Sequence, residues 1–343
     1  MQEFDATLLQ RDFGDWQAEA VACRCECALF DFSFMSRVQV SGEGALQALA
    51  AFQNRRVDDM PVNRIRYGLR VDKANRVVAD LTLWRRAHDC FEVMSGRYTD
   101  IADLLAIDTG GCTATVRPPC GISCTDLSAD TAIFAVQGPQ TLAALESLTD
   151  TRALSALDYF GFKSIELAGV PCLIGRLGYT GERGIEIIAP RAEHARLWTA
   201  LVARARPAGF AAIDSLRIEA GFMLFANDLV LGPTISELGV DPATITGADT
   251  DRYEFICCTA KTDGDPVMWQ PTDMNPQPPA DNEIVITSAC WSMVAQSVLV
   301  LGFTRRDVNP RQALIDPTGE FTHLQPVSRP FVDPLKKRPR ARL

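Results

Sequence analysis

A glycine-rich segment of thirteen residues carries the side chains with the clearest chemical potential. GRLGYTGERGIEI (175–187) contains four glycines, two glutamates and a tyrosine. A phosphate-binding loop would place such glycines between a strand and a helix. Here the glycines precede IEIIAP, which has the pattern of a strand, and no Gly-Lys-Ser/Thr follows. We therefore expect a hairpin rather than a phosphate loop.

The acidic side chains of this hairpin suit a flat, nitrogen-rich ligand. Glu182 and Glu186 are four residues apart, which places both on one face if both belong to a strand. A carboxylate inside the apolar run GIEIIAP is costly to bury without hydrogen-bond donors. A heterocycle with paired N–H donors would satisfy it, and Tyr179 could stack beside the ring. A purely structural hairpin explains the same residues, so both interpretations stand at this point.

The size and charge of the chain limit the kinds of function that it can have. Its 343 residues suit two or three domains, and a net charge of −9 argues against nucleic acid or an anionic membrane as a general partner. Eleven cysteines without an export signal favour free thiols and a cytoplasmic location. The uncharged stretch 284–303 alternates and is rich in β-branched residues, so it predicts two strands and a turn rather than a membrane span.

Two groups of cysteines resemble metal sites at first sight. Cys23, Cys25 and Cys27 lie in a segment with a helical pattern, and Cys120 and Cys124 form a second pair. On a helix, Cys23 and Cys27 share a face but Cys25 points elsewhere. The chain offers only three histidines as further ligands. We therefore predict buried or incidental thiols and no metal.

The surrounding segments show alternating strand and helix patterns. Residues 65–95 predict three strands, and residues 97–108 predict a helix. A compact antiparallel sheet with helices on one side therefore fits residues 46–129. A proline-rich stretch at 263–283 predicts a long loop, and the basic run 336–343 predicts a solvated, frayed terminus.

Several of these segments, taken in order, resemble the aminomethyltransferase family, which includes the T-protein of the glycine cleavage system. They are LFDFSFMSRVQVSG, RYGLRVDKANRVVADLTLWR, FAVQGPQ, GRLGYTGERGIEI, AIDSLRIEAGFMLFAND and VSRPFVDP. The resemblance covers most of residues 20–240 and returns near 284–334. It implies an α+β fold in which three domains form a cloverleaf around a central folate cavity. Antiparallel sheets with helices packed on them make up this fold, and the C-terminal domain is β-barrel-like.

The resemblance also implies how the chain divides. The implied units are a discontinuous folate-binding core (1–45 plus 130–245), a ferredoxin-like domain (46–129), a β-barrel or jelly-roll domain (246–335) and a basic, disordered tail (336–343).

A reaction and a site follow from the same resemblance. The family moves a one-carbon unit to or from tetrahydrofolate, which is therefore the implied cofactor. Asp80 in VVADL matches the family's catalytic aspartate. Glu186 matches the carboxylate that holds the pterin edge, and Tyr179 is similar to the tyrosine that stacks on or walls the same site. The other implied cofactor-binding residues are Tyr67, Arg217 and Arg329.

Two departures from the family pattern affect the donor end of the implied site. Phe34 stands where the family's Asp-x-Ser-His-Met has histidine, and Ile213 stands where arginine is common. Both changes make that end more apolar. They leave three functions open: aminomethyltransferase-like one-carbon transfer, a folate-dependent O-, S- or N-demethylase, and a non-enzymatic folate-binding protein.

One local charge pattern bears on partners. Residues 55–97 contain nine Arg and one Lys against five Asp and one Glu, a local charge of +4 in an acidic chain. A basic surface beside Asp80 could receive an acidic lipoyl carrier protein or a polyglutamylated folate tail. A solvated sheet edge guarded by charges explains the pattern equally well. We expect neither nucleic acid nor a membrane as a partner.

Overall fold

The computed structural model describes residues 4–108, 121–240, 252–264, 266–306 and 313–343. The fold is α+β, as predicted, with three β-sheets that consist almost entirely of antiparallel pairs. The strands are β1 (Ala28–Asp31), β2 (Ser36–Ser41), β3 (Ile65–Val71), β4 (Val77–Ala87), β5 (Cys90–Ser95), β6 (Ser123–Asp126), β7 (Thr131–Gln137), β8 (Phe162–Leu167), β9 (Val170–Gly175), β10 (Gly184–Pro190), β11 (Arg206–Pro207), β12 (Tyr253–Lys261), β13 (Val285–Ser292), β14 (Ser297–Arg305) and β15 (Thr322–Val327).

Helices of two to three turns and several shorter ones connect these strands. The α-helices are α1 (Trp16–Cys25), α2 (Ala45–Phe52), α3 (Tyr98–Asp108), α4 (Thr141–Leu145), α5 (Thr151–Ser155), α6 (His194–Val202), α7 (Phe210–Glu219), α8 (Phe225–Asp228) and α9 (Ile235–Leu238), and the 3₁₀ turns are Ala6–Leu8 and Arg191–Glu193. No helix of the described ranges has both the length and the apolar character that a membrane span needs.

The three sheets differ in size and order. The first has six strands in the order β11–β1–β7–β10–β9–β8, the second has five in the order β3–β4–β5–β2–β6, and the third has four in the order β13–β14–β12–β15. No closed barrel is found within the described residues, although isolated bridges join Leu314 to Leu324 of β15 and Ile315 to Glu283. The barrel-like form of the C-terminal domain stays a prediction. The predicted pair of strands in 284–303 is confirmed as the β13–β14 hairpin.

Strand pairing places β2 in a different sheet from the one expected. The predicted core domain contained residues 1–45, but Ser36–Ser41 pairs with both β5 and β6 of the second sheet. These hydrogen bonds join residues 36–41 to the second sheet. The division of the chain into domains stays a prediction.

The basic C-terminal tail packs on the first sheet instead of fraying. Arg338 Nη1 lies 2.6 Å from Glu182 Oε1, and Arg176 donates a hydrogen bond to the carbonyl of Arg340. Leu343 packs against the apolar cluster behind the first sheet. This arrangement differs from the predicted solvated terminus, because Arg338 pairs with the buried Glu182 carboxylate and backbone carbonyls of the tail accept hydrogen bonds from Arg176.

The cysteine segments follow the prediction where the structure describes them. Cys23 and Cys27 are buried and Cys25 is exposed. Helix α1 ends at Cys25, however, so Cys27 lies just before β1 rather than on the predicted helical face. Cys124 is a free thiol, and Cys120 lies outside the described residues. Within the described ranges, no three His, Cys, Asp or Glu side chains form a group that could hold a metal ion.

An apolar cluster fills the space between the first and second sheets. Ile65, Trp84 and Met94 of the second sheet pack together with residues of β7, β9 and β10, including Ile188. Gly175 lets the two sheets approach, because a Cβ at this position would lie 2.1 Å from Trp84 Cη2. The contact joins the strand before the glycine-rich turn to the strand that carries Asp80.

Replacing Gly175 by alanine should therefore destabilise the protein. Trp84 is completely buried and cannot swing aside, so the added methyl group forces the sheets apart. We expect the free energy of unfolding, measured with urea, to fall by about 1–3 kcal/mol. Gly264→Ala is the matched control, because its Cβ would meet nothing within 4 Å, and it should change stability by no more than about 0.5 kcal/mol. A Gly175→Ala protein as stable as the control would contradict this account of the contact.

Helix α7 connects the three sheets, and all ten of its residues are buried. Ile213 and Leu216 pack into the cluster between the first two sheets, whereas Ala211 and Ile218 pack against the third sheet. A helix buried on every side must satisfy its polar side chains internally. Arg217 of α7, for example, donates hydrogen bonds to Asp214, Asp228 and Ser288 within the protein.

Candidate active site

Glu186 lies in the middle of the first sheet, on the face that looks toward the second. Strand β10 places it opposite Ala135 on one side and Gly175 on the other. Its neighbour on the same face, Ile188, belongs to the cluster between the sheets. The side chain is half-buried and has no hydrogen-bond or ion-pair partner among the described residues. Burial raises the pKa of Glu186 to about 7.

Glu182, the other acidic residue of the segment, has a different environment. It lies in the turn before β10, so the predicted common face is wrong. Its Oε1 is 3.2 Å from Arg24 Nη1 and 2.6 Å from Arg338 Nη1, and the side chain is buried. Two guanidinium groups thus neutralise Glu182 and tie α1 and the tail to the glycine-rich turn. Glu186 is the carboxylate left for a ligand.

Asp80 and Tyr67 form the second part of the candidate site. In the β3–β4 pairing, Leu69 lies opposite Asp80. Tyr67 lies two residues before Leu69 and therefore on the same face of the sheet, where the Tyr67 hydroxyl donates to Asp80 Oδ2 at 3.3 Å. A tight turn fixes this register: Asp72 Oδ1 accepts from the backbone N–H of Ala74 at 2.8 Å. Burial raises the pKa of Asp80 to about 6, and the Tyr67 hydrogen bond acts in the opposite direction.

Tyr179 comes from the glycine-rich turn and lies in the same region as the Asp80–Tyr67 pair. Burial is the main cause that raises its pKa well above the usual range, and the charge of Asp80 adds to it. Tyr179 likewise contributes to the raised pKa of Tyr67. Its ring stacks on Phe222 at 5.9 Å, and its hydroxyl donates to the Met223 carbonyl. The Tyr179 hydroxyl is therefore already hydrogen-bonded within the protein, so the ring is the part of this side chain that can contact a ligand.

A cavity of about 320 Å³ opens beside Tyr67. Leu69 and Phe160 supply part of its apolar wall, and Arg66 stands among its polar lining residues. Glu186, Asp80 and Tyr179 do not line it. Glu186 does raise the pKa of Tyr159, the residue next to Phe160, although burial is the larger cause. Asp80, Tyr67 and Tyr179 thus interact with one another, whereas no hydrogen bond among the described residues joins Glu186 to these three.

Arg217 does not fit its predicted role as a cofactor-binding residue. Its Nε donates to Asp214 Oδ1 at 2.9 Å, Nη1 to Asp228 Oδ2 at 2.9 Å and Nη2 to Ser288 Oγ at 2.7 Å. The remaining N–H groups reach the Phe222 carbonyl and Asp214 again. The side chain is 1% exposed, so every donor is used within the protein. Arg217 joins α7 to the third sheet.

Arg329 retains more capacity to bind an anion. Its guanidinium lies 4.7 Å from the centre of the Phe255 ring and donates to the Leu238 carbonyl. No carboxylate within the described ranges forms an ion pair with it. Burial lowers its pKa to about 10. Its assignment to the cofactor stays a prediction.

The sequence analysis missed the carboxylates that surround Arg217. Asp228 Oδ1 also accepts a hydrogen bond from Ser288 at 2.8 Å, whereas Asp214 Oδ2 is buried with no partner in the described part of the chain. Burial raises the pKa of Asp214. The signal was available, because acidic residues stand three positions before and eleven positions after Arg217 in one apolar segment.

Comparison with known proteins agrees with this arrangement. The GCVT N-terminal domain family matches residues 2–246. The aminomethyltransferase of Shouchella clausii is 32% identical over 253 residues, which cover 68% of this chain and 66% of that protein. The aminomethyltransferase of Streptomyces avermitilis is 32% identical over 247 residues, which cover 70% of this chain and 64% of that protein. The match thus spans slightly less than two thirds of these relatives' own length.

A solved structure supports the fold. The crystal structure of glycine cleavage system aminomethyltransferase T from Bartonella henselae aligns with a TM-score of 0.64 at 20% identity, over 84% of this chain and 81% of that one. At this identity the likeness concerns the fold alone. Because the family match covers more than half of the sequence and includes the strands that carry Asp80 and Glu186, the chain belongs to the aminomethyltransferase family.

Proposed function

We propose that this protein is a tetrahydrofolate-dependent one-carbon transferase of the aminomethyltransferase type. The observation that carries the proposal is Glu186, a half-buried carboxylate with no protein partner, on a face that looks toward the Asp80 strand. An unpaired carboxylate in an apolar setting is costly unless a ligand supplies the missing donors. The paired N–H groups of a pterin edge are donors of the required kind.

Each residue of the site has a separate task. Glu186 would bind the pterin edge through its two oxygens, and Tyr179 would present its ring to the flat face. When bound, the cofactor supplies the nucleophilic nitrogens that accept the one-carbon unit. Asp80 offsets positive charge at the reacting group and can take up a proton at Oδ1, because Oδ2 already accepts from Tyr67. Tyr67 therefore orients the carboxyl group.

The direct test is calorimetric titration with tetrahydrofolate, followed by product analysis with aminomethyl and methyl donors. Saturable binding and turnover of an aminomethyl donor would support the proposal. Protein that binds no reduced folate would contradict it. Stoichiometric binding without turnover of any donor would instead identify a non-enzymatic folate-binding protein.

A folate-dependent O-, S- or N-demethylase is the second candidate. Phe34, in place of the histidine of the family pattern, packs in an aromatic group with Phe4 and Phe32 at 5.5 and 5.8 Å between ring centres. Ile213 is buried in the same apolar cluster. This environment favours an apolar donor over a polar one. Methyl transfer to tetrahydrofolate in the absence of aminomethyl transfer would select this candidate.

The basic stretch 55–97 gives limited support to a carrier protein as partner. Several of its arginines have acidic neighbours that neutralise them, as in the pairs Arg56–Asp58 and Arg86–Glu92. The charges are arranged as local pairs rather than as one open patch, which favours the interpretation as a guarded sheet edge. An acidic lipoyl carrier stays a predicted partner, and the cytoplasm a predicted location.

The pKa of Asp80 predicts a pH dependence of turnover. The carboxylate form is the active one, so kcat should fall as the pH drops through about 6. Tyr67→Phe removes the hydrogen bond that lowers this pKa, and we expect the midpoint of the pH profile to move upward. Tyr98→Phe removes a similar bond to Asp126, at 3.0 Å in the second sheet, and should leave the profile unchanged. Identical profiles for the native protein and Tyr67→Phe would argue against Asp80 as the titrating group.

A further inference from the structure

A second cavity lies beside β1 of the first sheet, and Glu186, Asp80, Tyr67 and Tyr179 are not among the residues that line it. Its volume is about 310 Å³, and it is enclosed by the end of β1, the start of α7 and the N-terminal segment 8–13. Five phenylalanine side chains line it together with Leu8, Leu9 and Ile213: these are Phe13, Phe30, Phe32, Phe34 and Phe210. None of the predicted folate-binding residues is among them.

The aromatic wall of this pocket is held in place before any ligand arrives. Phe32 meets Phe34 edge-on at 5.8 Å. One buried carboxylate joins two sides of the pocket, because Glu19 accepts from the backbone N–H of Phe13 at 2.6 Å and of Gly209 at 2.9 Å. Rings fixed in this way favour another aromatic ring, which can pack against them face to edge.

Arg191 lines the pocket and is a cationic group that can bind an anion there. Arg191 donates from Nη2 to the Ser33 carbonyl at 3.0 Å and forms no ion pair with any carboxylate in the described part of the chain. Asp31 also lines the pocket, but both of its oxygens have partners: His194 Nε2 lies 2.7 Å from Oδ2, and the Ser33 backbone N–H is 2.9 Å from Oδ1. A guanidinium with unused N–H groups beside apolar walls prefers a carboxylate.

We infer that this pocket binds a small aromatic carboxylate, with the ring among the phenylalanines and the carboxylate on Arg191. The cavity is at the lower end of the size range of roughly 300–1,000 Å³ for ligand pockets, which suits a molecule with a single ring. Phe34 and Ile213, two of the departures from the family pattern, both line it. The inference does not depend on the proposed folate chemistry.

Benzoate is the probe for this site, and isothermal titration calorimetry without folate is the measurement. We expect saturable binding of benzoate at submillimolar to millimolar concentration, given about nine non-hydrogen atoms. Benzylamine, which has the opposite charge, and acetate, which lacks the ring, should each bind at least about tenfold more weakly. No binding of benzoate, or equal binding of benzylamine, would overturn the inference.

Variants then locate the binding. Arg191→Met should weaken benzoate binding by at least about tenfold, and Phe34→His, which restores the residue of the family pattern, should also weaken it. Arg196→Met is the matched control, because this arginine is exposed and faces Glu193 and the Ala168 carbonyl. Circular dichroism checks that the variants are folded. Unchanged benzoate affinity in both Arg191→Met and Phe34→His would overturn the assignment. Tetrahydrofolate affinity should be native in Arg191→Met, so the two sites are tested separately.

Discussion

Replacing Glu186 by glutamine should weaken tetrahydrofolate binding by about 100-fold or more. Glutamine keeps the shape of the side chain but loses the charge, and it turns one acceptor oxygen into a donor that faces the N–H groups of the pterin edge. Two hydrogen bonds to a charged group, at about 1.5–3 kcal/mol each, account for a loss of this size. Titration calorimetry at pH 7.5 measures it.

The same substitution should make the protein more stable. Burial raises the pKa of Glu186 from 4.5 to about 7 in the folded state. The unfolded chain therefore loses its proton first, and the free energy of unfolding declines as the pH rises from 4.5 through 7. Glutamine abolishes this loss. With allowance for the half-exposed side chain, we expect a gain of about 1–2 kcal/mol at pH 8 and none below pH 4.5.

The combination of weaker binding and higher stability separates a ligand-binding carboxylate from a structural one. Glu166→Gln is the control, since this residue is exposed on β8 of the same sheet and should change neither property. A Glu186→Gln protein that loses both stability and folate affinity would show that the carboxylate supports the fold, and the site would have to be reassigned.

Replacing Asp80 by asparagine should lower turnover by about 10²–10⁴-fold and leave tetrahydrofolate affinity within about threefold of the native value. Asparagine retains the oxygen that accepts from the Tyr67 hydroxyl, so the local hydrogen bond survives. It cannot take up a proton or offset positive charge. Single-turnover kinetics with saturating cofactor separate this loss from any change in binding.

Asp126→Asn provides the comparison for Asp80, because Asp126 also accepts a tyrosine hydroxyl in the second sheet, from Tyr98. It should retain native turnover. If Asp80→Asn is as active as this control, Asp80 is not catalytic. If it fails to bind folate, its task is to hold the cofactor.

Local patterns predicted much of the fold. The alternation in 65–95 and the turn residues between its strands predicted β3, β4 and β5, and the helical pattern around Cys23 predicted α1, although this helix ends at Cys25, before Cys27. The strand order of the third sheet was not predictable in this way, because it depends on pairing between distant strands. The docking of the tail likewise depends on Glu182, which is 156 residues away from Arg338 in the chain.

The candidate site was predictable as a set of residue types but not as a set of contacts. Resemblance to the family selected Asp80, Tyr67 and Tyr179, and the structure places these three together. The resemblance selected Glu186 over Glu182, but the residue pattern alone could not distinguish them, because their difference comes from Arg24 and Arg338 in remote segments. For the same reason the resemblance assigned Arg217 to a ligand, although buried carboxylates, the Ser288 hydroxyl and the Phe222 carbonyl accept its hydrogen bonds.

A crystal structure of the protein with tetrahydrofolate tests the central claim most directly. The account predicts the pterin ring between the first and second sheets, with both Glu186 oxygens at hydrogen-bonding distance, about 2.7–3.2 Å, from its ring-edge nitrogens. Folate bound elsewhere, or Glu186 paired with a protein side chain in the complex, would contradict it.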